Sequence, residues 1–194
     1  MMRWSFALGM AALAGLALPA VAQEAAFEAP LGLSEVRIGG HFHDVYPGFI
    51  PFQVDLYEFD QLEDLTFEAL FQSPDLDVFR WMGSPRPNVG ATINLDNQDS
   101  HVHLGLTWQA QLFDTPIYVE GTFGIAAHNG YLNEAPPGRI NFGCRVNFYE
   151  QFGIGTHITE NFTATLTYEH TSNADLCEVN AGMSTLGVRL GYKF

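Results

Sequence analysis

A chain of 194 residues with 22 acidic against 8 basic side chains carries a formal charge of −14, which argues against nucleic acid as a partner because phosphate binding needs a basic surface. Beyond the N-terminal stretch no run approaches the roughly 20 continuous apolar residues of a spanning helix. The 16 phenylalanines and 7 tyrosines instead suit strands.

Residues 1–22 read as a secretory signal peptide. Arg3 precedes an apolar run from Trp4 to Leu18, and Pro19 leads to the small-residue site Ala20-Val21-Ala22. The apolar run is too short and wrongly flanked to span a bilayer stably. The roughly 170 residues that remain suit one domain, with an N-terminal segment at 23–34 and a strand-rich body at 35–194. Cys144 and Cys177 then lie in an exported chain whose compartment permits a disulfide.

From Glu35 onward, apolar residues alternate with small or polar ones at the two-residue period of a strand. Val36, Ile38 and Phe42 oppose Arg37, His41 and His43; Leu65, Phe67 and Phe71 oppose Thr66, Glu68 and Gln72. Val89, Ala91 and Ile93 oppose Asn88 and Thr92, and Val102, Leu104 and Leu106 oppose His103 and Thr107. Ile117, Val119 and Phe123 oppose Tyr118, Glu120 and Thr122, and three further strands are predicted at 140–158, 162–173 and 183–194. Eight strands, an even number, suit a transmembrane barrel. Alternation alone does not say which face points inward, so a soluble lipid-binding barrel with an apolar interior is a competing architecture. Two features favour lipid outside: nearly every polar face carries Arg, Glu, His, Gln or Thr, and the last strand alternates Leu186, Val188, Leu190, Tyr192 and Phe194. A terminal Phe of this kind resembles the assembly signal of outer-membrane barrels. The short links Asp114-Thr115-Pro116 and Thr159-Glu160-Asn161 read as periplasmic turns, and Tyr46 to Gln61 and Ala127 to Gly138 as extracellular loops. Ser73 to Pro87, with Trp81 and three prolines, does not fit, being long where a periplasmic turn is expected.

Chemistry concentrates in the seventh strand. Phe162, Ala164, Leu166 and Tyr168 form its apolar side, and His170 and Ser172 continue that side to the extracellular rim. A polar pair on a lipid-facing wall is costly and marks function. An imidazole two residues from a hydroxyl on one face is the pairing a serine nucleophile needs with its base. His41 and His43 also share a face, but two ligands fall short of a tetrahedral metal site, so they read as hydrogen-bonding lumen residues.

His170-Thr171-Ser172-Asn173-Ala174, Asn180-Ala181-Gly182 and the last strand from Gly187 to Phe194 resemble the lipid A 3-O-deacylase (PagL) family. Weaker likeness extends through Ser84 to Pro87, Gly105 to Trp108 and Val119 to Gly121. The resemblance implies an eight-stranded outer-membrane barrel of a Gram-negative bacterium that acts as a serine esterase on lipopolysaccharide, hydrolysing the 3-O-linked acyl ester of lipid A in the outer leaflet. No metal or cofactor enters that reading. Ser172 would be the nucleophile and His170 the general base, with Asn180 and the N–H of Asp175 as oxyanion donors and Asn173 matching the motif. At the position of the family's triad glutamate this chain has Ser184, which cannot carry a charge opposite an imidazolium.

The hairpin register suggests a replacement. A turn at Thr159-Glu160-Asn161 pairs Ile158 with Phe162, Phe152 with Tyr168 and Glu150 with His170. Glu150 is the only charge in the apolar phase of strand six, and opposing residues have Cβ atoms roughly 4.5–5.5 Å apart. Glu150 is therefore expected as the triad acid and Ser184 as a neutral neighbour of His170. A bulge could instead turn Glu150 into the lumen, which would favour the rival reading of a non-catalytic structural barrel. The same register sets Cys144 opposite Leu176, one residue from Cys177, within reach of a disulfide.

Overall fold

The computed structural model describes residues 32–46 and 48–194; the predicted signal peptide and most of the segment at 23–34 lie outside them. Eight antiparallel strands close into a barrel in sequence order: β1 (Leu33–Phe42), β2 (Leu62–Phe71), β3 (Arg86–Asn94), β4 (His101–Gln111), β5 (Ile117–His128), β6 (Val146–His157), β7 (Phe162–Ser172) and β8 (Met183–Lys193). Closure is made by β1 on β8, from Glu35 opposite Lys193 to Phe42 opposite Leu186. No helix among the described residues is long and apolar enough to cross a membrane.

The two faces of the alternation settle the orientation. Glu35, Arg37, Thr66, Glu68, His103, Glu120, Gln151, Glu169 and Arg189 are buried, whereas Ile38, Val89, Leu104, Phe123, Ile154, Leu166 and Leu190 are exposed. The interior is polar and the outer wall apolar, the arrangement of a membrane barrel, and the soluble barrel with an apolar interior is excluded.

A polar interior needs its charges paired. Arg37 donates to Glu35 (2.9 Å), Glu68 (3.2 Å) and Glu120 (2.7 Å). Arg189 donates to Glu169 and to Gln151 (2.5 Å), and lies 3.4 Å from Glu68. Arg86 adds a bond to Glu35 at 2.9 Å. Of these links, Arg37 to Glu120, Arg189 to Gln151 and Glu68, and Arg86 to Glu35 join strands that are not neighbours in the sheet. His41 shares hydrogen bonds with Thr185 and Thr167, and His43 with Asp64.

The strand boundaries depart furthest from expectation at β6. β6 starts at Val146 and not at 140, because Gly143 adopts φ +74 and a Cβ there would strike the Val179 carbonyl and the Asn173 amide. The stretch from Ser73 to Pro87 contains a single helical turn, α1 (Asp77–Trp81), fastened to the barrel by Trp108 Nε1 donating to the Met82 carbonyl at 2.7 Å. Pro87 is tolerated in β3 because pairing with β2 has ended at Asn88, so its missing N–H leaves no gap in that ladder. At the other end, Cys144 and Cys177 form a disulfide with Cα atoms 5.8 Å apart, tying the β5–β6 loop to the β7–β8 loop.

Two stability predictions follow from these links. Arg189→Met should lose on the order of 3–5 kcal/mol, because it strands Glu169 without its guanidinium and leaves Glu68 with Arg37 alone. Urea titration of the barrel in liposomes measures this, and a midpoint unchanged from wild type would show that the lumen network does not hold the barrel. Cys177→Ser should cost about 2–4 kcal/mol in the same titration, and alkylation of the unfolded, unreduced wild type should find no free thiol.

Candidate active site

β7 supplies the centre of the site. Its inner residues Thr163, Thr165, Thr167 and Glu169 are buried in the lumen, so the two-residue period turns Tyr168, His170 and Ser172 outward. Across β6, Glu150 pairs with His170 and Phe148 with Ser172; across β8, His170 pairs with Ser184. β6 runs without a register shift from Phe148 to His157, so Glu150 stays in the outer phase between Phe148 and Phe152, and no bulge carries it into the lumen.

The hydrogen bonds distinguish the two neighbours of the imidazole. His170 Nδ1 is 2.9 Å from Ser184 Oγ, and Ser184 Oγ donates to the Gly48 carbonyl at 3.1 Å. One carboxylate oxygen of Glu150 is buried without a hydrogen bond, and among the described residues no bond or ion pair joins it to His170. Nor is the imidazole bonded to Ser172, which stands at the end of β7 with its hydroxyl uncommitted among the described residues. The opposite edge of the ring lies against Gly182 (φ +61), where a Cβ would sit 3.2 Å from Cε1 and 3.6 Å from Nε2. A side chain at that position would crowd the Cε1–Nε2 edge of the imidazole.

After Ser172 the chain reverses through Asn173 to Leu176, with Ala174 and Asp175 at φ 50 and 60 and the Leu176 amide bonded to the Asn173 carbonyl at 3.0 Å. Positive φ at both central residues is the signature of a type I′ turn, costly for residues other than Gly, Asn or Asp. The loop is held from within. The buried Asn173 amide donates to the carbonyls of Phe142 (2.7 Å) and Val179 (2.6 Å), and the Asn173 N–H donates to Asn180 Oδ1 (2.9 Å). Asn180 Nδ2 donates to the exposed Asp175 carboxylate at 3.1 Å. Asn173 is thus a loop fastener, and Asn180 ties its N–H to the Asp175 carboxylate in the turn that follows Ser172.

Sequence reasoning missed the contribution of the loop between β1 and β2. It folds down over the outer wall: Val45 N–H bonds the Ser184 carbonyl at 2.8 Å, and the Tyr168 hydroxyl donates to Gly48 O. Phe49 sets its ring edge to face against His170 (6.0 Å) and Phe152 (5.9 Å). Below His170, this loop and the wall enclose an apolar groove of about 640 Å³ lined by Phe52, Phe59, Phe152, Ile154, Leu166 and Leu186. The signal was present in the unusual density of Phe49, Ile50, Phe52, Leu56, Tyr57 and Phe59 in a stretch predicted to meet water.

The barrel is similar to the crystal structure of the outer membrane enzyme PagL, with 15% identity, TM-score 0.54, and 84% of this chain and 99% of that chain covered. It is equally similar to the N-terminal β-barrel domain of Pseudomonas aeruginosa OprF, with 13% identity, TM-score 0.54 and coverage of 84% and 98%. At such identities these likenesses establish the fold and nothing finer. Comparison with curated proteins gives no match. The model of the lipid A 3-O-deacylase (PagL) family matches residues 67–193, a span that contains His170, Ser172, Asn180 and seven of the eight strands in whole or part. This outer-membrane barrel belongs to the lipid A 3-O-deacylase (PagL) family.

Proposed function

We propose that the chain is an outer-membrane serine esterase that removes the 3-O-linked acyl chain of lipid A, with Ser172 as nucleophile and His170 as general base. The observation that carries this reading is the position of the pair on the outer wall, directly above an apolar groove that runs toward the membrane centre between β6, β7, β8 and the β1–β2 loop. An acyl chain lying in that groove would bring its ester carbonyl up to Ser172 while remaining in an apolar medium, which supplies the positioning that acyl transfer requires. A soluble substrate would have no reason to meet this wall.

In the proposed reaction the Ser172 proton passes to His170 Nε2 as Oγ bonds the acyl carbon. The negative oxygen that develops is met by the Asp175 N–H and by Asn180 Nδ2, released from the exposed Asp175 carboxylate. The imidazolium then gives its proton to the departing sugar oxygen, and a water molecule repeats the sequence to free the fatty acid. Glu150, on the strand beside His170 and with a carboxylate oxygen unpartnered in the wall, is the proposed source of negative charge for the imidazolium. An uncharged Ser184 at Nδ1 favours a second reading, in which the barrel keeps the family fold without hydrolysis.

Two measurements separate these readings. Mass spectrometry of lipid A from expressing cells should show loss of one ester-linked acyl chain with wild type, and its retention with Ser172→Ala and with His170→Ala. Lipid A left intact by the wild type would establish the structural reading, and deacylation surviving in either folded variant would remove that residue from the site. Glu150→Gln should lower turnover severely, by up to about 10⁴-fold if its charge serves as a triad acid does. Wild-type turnover in that variant, with folding verified by heat-modifiable gel mobility, would eliminate Glu150.

A further inference from the structure

We infer that Ser184 and the backbone carbonyl of Gly48 form a neutral relay that holds His170 in the tautomer with its proton on Nδ1, making Ser184 a positioning residue of the site. The inference rests on His170 being the general base, and it explains how a base can be oriented with a hydroxyl where a carboxylate would be expected.

The direction of the relay follows from counting protons. A serine hydroxyl has one hydrogen to donate and lone pairs to accept with, whereas a carbonyl oxygen only accepts. Ser184 Oγ lies 3.1 Å from Gly48 O and 2.9 Å from His170 Nδ1. Two oxygens at that separation attract only if a hydrogen lies between them. Ser184 therefore donates to Gly48, its oxygen is left as an acceptor, and Nδ1 must carry the proton that completes the chain. The lone pair of the neutral imidazole is then on Nε2, the nitrogen that must receive the Ser172 proton. With the other tautomer the ring would present an N–H to the nucleophile and a lone pair to the Ser184 oxygen, and the base would be inactive.

The surroundings make this arrangement permanent. Ser184 is 2% exposed and His170 6%, so bulk water does not compete for Nδ1. The Gly48 carbonyl is held by a second donor, the Tyr168 hydroxyl, and the same loop is pinned to β8 by the Val45 amide on the Ser184 carbonyl at 2.8 Å. Phe49 closes one side of the ring and Gly182 lies along its Cε1–Nε2 edge. The β1–β2 loop thus has two roles in one fold of the chain: it walls the groove, and it supplies the acceptor at the end of the relay. Tautomer selection and charge stabilisation, which a single carboxylate performs in a conventional triad, fall here to separate groups. Ser184 with Gly48 can perform only the first.

The test reads the tautomer directly. In the mature barrel labelled with ¹⁵N-histidine, the His170 signals can be assigned by their loss in His170→Ala. We expect wild type to show a protonated Nδ1 and an unprotonated Nε2. Ser184→Ala should shift His170 toward the Nε2-protonated form and lower kcat on the order of 10- to 100-fold with little change in KM, and Ser184→Thr, which restores a hydroxyl, should recover both. An Nε2-protonated His170 in the folded wild type, or an unchanged tautomer in Ser184→Ala, would overturn the relay. Failure of the wild type to deacylate lipid A would overturn the esterase reading separately, because the tautomer is measured without turnover.

Discussion

The whole molecule depends on pairing charges inside a closed sheet whose outside must be apolar. Arg37 bonds Glu35 on its own strand, Glu68 on the next and Glu120 across the lumen, and Arg189 bonds Glu169 on the next strand and faces Glu68 across the lumen. Because side chains alternate, each anchored inner residue fixes the phase of its strand and decides which neighbours face lipid. Glu169, bound by Arg189, commits His170 to the outer wall, and Thr185, bonded to His41, does the same for Ser184. A one-residue slip of β7 or β8 would break the lumen network and separate the outer pair at once. Buried ion pairs add little net stability over an apolar core, so their contribution here is better understood as register.

The rim adds what the barrel cannot. A lipid-facing imidazole is costly unless something shields and satisfies it, and the β1–β2 loop does so with an aromatic ring, a carbonyl and an apolar floor. On the other side of Ser172, a disulfide, Asn173 and the close approach allowed by Gly143 hold the β5–β6 and β7–β8 loops together. The left-handed residues Ala174 and Asp175 sit in that clamped turn, where their conformational cost can be maintained by surrounding contacts. One loop therefore governs His170 and two others the turn beside Ser172, and all three are fastened to strand ends that the lumen has placed.

Much of this is legible in the sequence. The tight turn at Thr159 to Asn161 and a period of two were enough to pair Glu150 with His170 and to bring Cys144 near Cys177, because an antiparallel hairpin propagates its register from the turn. The polarity of the two faces was visible too, and the burial of one of them in the closed barrel decides which is inside. What the sequence hid was non-local. Gly48 meets Ser184 only because β1 closes on β8 at the far end of the chain, and a backbone carbonyl leaves no trace in residue identity. The Ser73 to Pro87 segment was opaque for a different reason: its one helical turn is too short to show a period, and its anchor is a single indole N–H from β4. The expected length of β6 failed at Gly143 because the apolar alternation continues through residues that the disulfide and the adjacent loop pull out of the ladder.

The equal likeness of this barrel to PagL and to the OprF domain carries a physical lesson about where an activity of this kind resides. A barrel that satisfies its lumen is indifferent to the identity of a few outward residues at its rim, so the same scaffold tolerates chemistry there or its loss. Replacing a carboxylate by Ser184 removes the desolvation cost of an anion at the membrane boundary and also removes the charge that would steady an imidazolium. The hydroxyl retains direction, through Nδ1 and Gly48 O, but not electrostatic attraction. Any compensation must come from a neighbouring strand, and β6 offers Glu150 across from His170, held among phenylalanines with one oxygen unpartnered. A carboxylate oxygen left unpartnered in an apolar wall carries a desolvation cost, so Glu150 stands out physically at this rim as Ser184, bonded on both sides, does not.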